Sequence, residues 1–358
     1  MGLPSKTPAN LFQPMKIGEA PLPRPVSTSV FSGDSPNLDF LRAYAVMLVL
    51  VGHTLNTAFP HRFHLSSLGI FGVLIFFVHT SLVLMLSLQR TKQKGAALFA
   101  TFYIRRFFRI YPLSVVTVVC AVVFGYRVLS WPDLFSNLTL TMNLTSSKMA
   151  INPLWSLPYE VQMYVVLPFL FLFAKRFFGA VLATVPLLVV SICCALLNPP
   201  QPWMDFVHYV GCFLPGIIAY QLSSRPRYQW NPWIWPIVLV GTTLLFGAER
   251  FLQLNPKYLF WSINSLIIGL AAPQFRQMHD GVVRSAARTI AKYSYGIYLM
   301  HTFAIHIAFV KMMAYPAVFR WSVWVVLIVI FPVGAFHIIE NPCLLFGKRI
   351  AKRVPGDR

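Results

Sequence analysis

Residues 38–59 read LDFLRAYAVMLVLVGHTLNTAF, a stretch long and apolar enough to cross the hydrocarbon core of a bilayer. It nevertheless carries Asp39, Arg42 and His53. Ionisable groups are costly at membrane depth, so each is first a candidate for function. Arg42 and His53 stand eleven residues apart, about three helical turns, which places them within roughly 20° of one face and about 16 Å apart along the axis. One helix would then present a cation near one mouth and a base deeper in. The plainer alternative is that Arg42 snorkels to the interface and His53 bonds a neighbouring helix.

The rest of the chain sets this stretch in context. Of 358 residues, 57% are hydrophobic and 11% charged, with a mean hydropathy of +0.64. These values exclude an ordinary soluble domain and predict an all-α, polytopic transmembrane helical bundle. About ten apolar runs have spanning length: 38–59, 68–89, 111–129, 153–174, 180–197, 207–222, 233–247, 258–272, 291–313 and 319–338. The net charge of +20 would suit nucleic acid, yet the basic residues sit in short clusters between apolar runs, so no nucleic-acid partner is expected. With the N-terminus inside, 22 of the 30 Lys and Arg fall on the inner side and seven on the outer. That bias predicts both termini cytoplasmic.

No internal repeat or pair of matching broken helices marks an inverted-repeat transporter. Cys120, Cys193, Cys194, Cys212 and Cys343 lie in or beside apolar segments without ligand spacing, so they read as packing residues and no metal is expected. Residues 1–36 are rich in proline and read as a disordered cytoplasmic tail. The transmembrane domain is expected over 37–343, and 344–358 form a basic cytoplasmic tail.

Four further stretches carry chemistry. Between the second and third runs, Ala96 to Ile110 can form an interfacial helix with Phe99, Phe102, Tyr103 and Phe107 toward the membrane. Arg105, Arg106 and Arg109 then fall within an arc of roughly 100°. Three guanidiniums so grouped suit a phosphate-bearing ligand, or else the headgroups of anionic membrane lipids. Pro112 marks the turn into the third span. The outer segment 130–152 is long and polar, and its two Asn-Leu-Thr triplets would be glycosylation acceptors only in a secretory pathway. It could cover an acceptor cavity.

In PLWSLPYEVQMYVVLP, residues 153–168, Glu160 lies about two turns from the outer helix end and can share a depth with His53. Its alternative is simple pairing with another polar group. In SYGIYLMH, residues 294–301, His301 stands mid-span near Tyr293, Tyr295 and Tyr298, as a packing residue or a functional one. HIIENP, residues 337–342, puts Glu340 at the inner mouth, as an interfacial residue, as the partner of an inner arginine or as part of the site.

Taken in order, LDFLRAYAVMLVLVGH, FYIRRFFRIYP, PLWSLPYEVQMY, SYGIYLMH and ENP resemble the membrane-bound acyltransferase family 3. Its members include O-acetyltransferases of bacterial polysaccharides, lipopolysaccharide, nodulation factors and macrolides. The resemblance covers most of 38–342. It implies acyl transfer from cytoplasmic acetyl-CoA, or a related acyl-CoA, to a hydroxyl presented from the membrane or its outer side. It also implies His53 as the catalytic residue, with Arg42 and the Arg106/Arg109 pair in the family's basic motifs and Glu160 and Glu340 at its acidic positions. One motif departs: where the family commonly reads Gly-Val-Asp-Leu-Phe-Phe-Val-Leu-Ser-Gly, this chain has GVLIFFVHTS, with Leu74 in place of the acid and His79 in place of an apolar residue.

The expected arrangement is therefore His53 and Glu160 as catalytic residues, Arg42, Arg105, Arg106 and Arg109 on the phosphates of acyl-CoA, and Asp39, Tyr164, His301 and Glu340 as substrate-binding or supporting groups. O-acylation needs a base for the attacking hydroxyl and stabilisation of the oxyanion. A neutral His53 can be that base, with Glu160 orienting it or binding the acceptor. The expected acceptor is a saccharide, first of all a bacterial exopolysaccharide or its lipid-linked repeat unit at the inner membrane. A small secondary metabolite is the alternative acceptor, and a transporter using the same charged groups is the alternative class.

Overall fold

The computed structural model describes residues 2, 30–31, 35–60, 65–177, 180–197, 205–223 and 229–355. Among them every extended element is a helix, and one isolated bridge joins Trp230 to Phe275. The helices are α1 (Pro36–Ala58), α2 (Ser66–Arg90), α3 (Gly95–Val123), α4 (Trp131–Thr139), α5 (Met142–Thr145), α6 (Leu157–Phe177) and α7 (Ala180–Leu196). They continue with α8 (Phe206–Ser223), α9 (Ile234–Phe251), α10 (Lys257–Ala271), α11 (Val282–His306), α12 (Ala317–Ala335) and α13 (Asn341–Lys352).

Each of the ten expected runs is helical, but seven helices among the described residues are long and apolar enough to cross a membrane. The shortfall has local causes. The helices α7 and α10 have 17 and 15 residues, and the first half of α11 carries Arg284, Arg288 and Lys292, which breaks an apolar window of spanning length.

Helix α1 packs between α2 and α11, α2 continues against α8, and α8 lies between α7 and α10. Small residues permit this closeness. A Cβ at Gly72 of α2 would stand 2.5 Å from the Ala45 carbonyl oxygen of α1, and one at Gly216 of α8 would stand 2.2 Å from the Val78 carbonyl oxygen of α2. Close backbone approach of this kind is how helices gain dispersion where lipid offers no hydrophobic drive. The core follows α1 and α2, with Leu41, Ala45, Val46, Phe71, Leu74, Ile75 and Leu82 fully buried. The faces of α6, α7, α9 and α12 away from it expose Phe169, Phe173, Val185, Val189, Leu244, Val325 and Val329, as lipid-facing surfaces do.

Four expectations change. The segment Ala96–Ile110 and the third span form a single 29-residue helix, and Pro112 lies inside it; neighbouring helices tolerate such prolines in membrane bundles. The segment 344–358 is a helix up to Lys352, continuous with α12 through the π-turn Phe336–Glu340, and packs on α3. Of the tail 1–36, residues 1, 3–29 and 32–34 lie outside the described residues, but Phe31 is buried and its carbonyl accepts from Arg90 Nη2 at 2.6 Å.

The segment 130–152 is not an open loop. Helix α4 starts with a capping box between Ser130 and Asp133. Bonds from the Ser130 hydroxyl and the Lys148 amide hold the Asp133 carboxyl below its ordinary range. Asn137 is fully buried, donating to the carbonyls of Asp133 and Lys148 while accepting from the Ala150 amide. Its amide is thus consumed by the fold, which removes the first triplet as a glycosylation acceptor.

Candidate active site

The bundle brings His53 of α1 against His301 of α11, 248 residues away in sequence, with Nδ1 of His53 2.8 Å from Nε2 of His301. The rings stack with centroids 5.1 Å apart and planes 16° apart. His301 is fully buried, His53 half-buried. Nδ1 of His301 lies 3.0 Å from the Ile297 carbonyl oxygen one turn earlier. A carbonyl only accepts, so Nδ1 carries the proton, and a neutral His301 has its lone pair on Nε2. That nitrogen must accept from Nδ1–H of His53. Nε2 of His53 is left unprotonated, the form a base requires.

Gly69 of α2 fixes the other side of this ring. A Cβ there would stand 2.8 Å from His53 Nε2 and 3.1 Å from Cδ2. Glycine is required at this turn of α2 for the imidazole to sit where it does.

Arg42 lies in a separate internal cavity of about 100 Å³. Its polar lining includes Arg42, His79, Arg106, Arg109, Glu160 and Tyr164. With Arg109 paired to Glu340, Arg42 and Arg106 still outnumber the single carboxylate of the described lining, so the interior favours an electronegative guest. Tyr164 donates to Glu160 in a short hydrogen bond, and Thr80 approaches the same oxygen at 3.4 Å. Tyr298 joins the cavity to the histidines. It lines the cavity, its ring centroid lies 6.4 Å from that of His301, and its hydroxyl contacts Ser156 Oγ and the Pro153 carbonyl at 2.7 Å each.

The expected residues therefore divide into groups. His53 and His301 pair; Arg42, Arg106, Arg109, Glu160 and Tyr164 share the cavity; Arg105 does not line it and faces a second groove beside Arg106. Arg109 forms an ion pair with fully buried Glu340, which makes Glu340 the partner of an inner arginine. Asp39 lies in the first turn of α1 and lines neither space, where an acid complements the helix dipole. Glu160 bonds Tyr164 and Thr80, and the contact that orients His53 comes from His301.

Sequence reading passed over Tyr295, Ser156 and Ser294 as cavity residues and Gly69 as a ring support. Tyr295 had the plainest signal, lying in the same SYGIYLMH stretch as His301 and donating from its hydroxyl to the Ile110 carbonyl. His79, the departure within GVLIFFVHTS, does line the cavity. The altered motif is part of the site's wall.

Acyltransferase MdmB of Streptomyces mycarofaciens is 22% identical over 366 residues, covering 88% of this chain and 93% of that protein. No solved structure matches the chain. A family model described as an acyltransferase domain matches residues 35–339, from the start of α1 almost to Glu340. With that match spanning every helix that builds the histidine pair and the cavity, the chain belongs to the membrane-bound acyltransferase family 3.

Proposed function

We propose that this protein moves an acetyl or short acyl group from acyl-CoA to a hydroxyl of a saccharide, a bacterial exopolysaccharide or its lipid-linked repeat unit, at the bacterial inner membrane. The observation that carries the reading is the pairing of His53 with His301, which leaves an unprotonated Nε2 on a half-buried ring. The donor enters from the cytoplasmic end, where α1 begins and the arginines of α3 lie. Its phosphates stay near Arg105 and Arg106 while the extended acyl arm runs past Arg42 toward His53. The helical offset between those two residues, about 16 Å, sets the length that arm must span.

In the transfer step Nε2 of His53 takes the proton from the acceptor hydroxyl as its oxygen attacks the thioester carbonyl. A new C–O bond forms and the C–S bond breaks. The proton held on His53 then passes to the departing sulfur, so the histidine ends as it began. His301 accepts from His53 Nδ1–H throughout and stabilises the imidazolium that forms between the two transfers. Glu160, held by Tyr164, offers an acceptor for a substrate hydroxyl within the cavity.

The test is transfer of labelled acetyl from acetyl-CoA in membranes expressing the wild type or His53→Ala, supplied with the host's saccharide fraction. A base-labile saccharide ester that requires His53 is the expected product. Label in a small metabolite instead would replace the acceptor class. Full transfer by His53→Ala would sink the mechanism, and no turnover of any short acyl-CoA by folded protein would move the reading to transport.

A further inference from the structure

The groove beside the cavity is lined by Ser87, Arg105, Arg106, Leu344, Leu345, Lys348, Arg349 and Lys352, with a volume of about 490 Å³. Five of these eight residues are cations and none is an acid. Like charges so close repel, and among the described residues no carboxylate lines the groove to offset them. Among the described residues the Nε atoms of Arg105 and Arg106 are buried without a hydrogen-bond partner, while Lys348, Arg349 and Lys352 are exposed on the facing helix. The groove is therefore built for an anion bearing several acceptor oxygens.

Its two walls are held in register. On α13, Gly347 packs so closely on α3 that a Cβ would stand 2.6 Å from Phe108 Cβ, and Phe346 meets Phe108 edge-on at 5.3 Å. The Gln93 amide donates to the Val354 carbonyl at 3.3 Å just beyond the helix end. Arg106 lines both the groove and the internal cavity. An anion in the groove thus lies against the same arginine that lines the cavity.

We propose that α13 reads the 3′-phosphate of the acyl-CoA donor, with Lys348, Arg349 and Lys352 on that phosphate and Arg105 and Arg106 on the diphosphate at the cavity mouth. The inference rests on acyl-CoA being the donor. Order along the ligand gives the assignment. The acyl arm leaves from the diphosphate and must pass Arg106, so the remaining phosphate falls on the other side of the groove, against the exposed cations of α13. A phosphomonoester carries about −1.5 to −2 at neutral pH, the most anionic group available to that basic wall. Phosphate oxygens of an anionic lipid headgroup share this chemistry, and the test separates the two.

The experiment uses the full chain in nanodiscs of phosphatidylcholine, measuring KM for acetyl-CoA and for acetyl-dephospho-CoA, which lacks the 3′-phosphate, together with direct binding of CoA and dephospho-CoA. The wild type is expected to favour acetyl-CoA by about 10- to 100-fold in KM, the range of one to two charge-assisted contacts. The variant Lys348→Gln, Arg349→Gln, Lys352→Gln is expected to treat the two donors alike. Gly347→Val, which removes no charge but displaces the wall, is expected to bring the donors together as well. Equal KM values for the wild type, or discrimination kept by the triple variant, would overturn the assignment while leaving acyl-CoA as donor. Loss of wild-type discrimination when phosphatidylglycerol is added would give the groove to lipid. Binding of neither nucleotide by folded protein would overturn the donor reading with it.

Discussion

His301 has a role that its sequence position alone does not reveal. Its Nδ1–H is committed to the Ile297 carbonyl, so its other nitrogen must accept, and that single constraint sets the tautomer of His53. Replacing His301 by Ala should lower kcat by about 100-fold or more with donor KM unchanged, since a base in the wrong tautomer loses most of a general-base contribution. His301→Gln, whose carbonyl can accept from His53, should recover part of that loss. Steady-state kinetics at saturating donor checks both, and a KM effect without a kcat effect would assign His301 to packing. Gly69→Ala tests the same ring from the opposite side. The added methyl meets Nε2 at 2.8 Å, so turnover should fall while acyl-CoA binding persists.

Among the elements, α13 and the π-turn before it are tied to α3 by a buried ion pair as well as by the packing of Gly347 on Phe108. Arg109 of α3 meets Glu340, whose side chain is completely buried. Removing one partner of such a pair leaves the other charge uncompensated, at a cost of roughly 3–5 kcal/mol. Glu340→Ala should therefore lower the melting temperature of the purified protein and loosen α13 in hydrogen exchange. Arg109→Met with Glu340→Leu should restore most of the stability, because packed apolar groups often replace a buried pair at little cost. Unchanged melting in Glu340→Ala would show that the pair does not hold α13. The pairing itself was among the alternatives open from sequence, where Glu340 stands beside a basic mouth. What α13 would become was not legible, because a run such as KRIAKR reads as a solvated tail until Gly347 is seen against Phe108.

For the molecule as a whole, charge asymmetry predicts that both termini face the cytoplasm. A cysteine replacing Arg353 should be labelled by an impermeant reagent only in inside-out vesicles, and one replacing Ser147 only in right-side-out vesicles, in a background lacking the five native cysteines. The reverse pattern would overturn the direction assigned to the donor. The sequence alone determined the helical class, because 57% hydrophobic residues arranged in apolar runs leave no other solution in a bilayer. It also determined that Arg42 and His53 share one face of one helix, since three turns of helical geometry require it. Only tertiary structure decided that His53 meets His301 rather than Glu160, and that Glu160 sits with Arg42 in a separate cavity. These partners come from helices far apart in the chain, and helical periodicity gives the face a residue lies on but not the helix that face will meet.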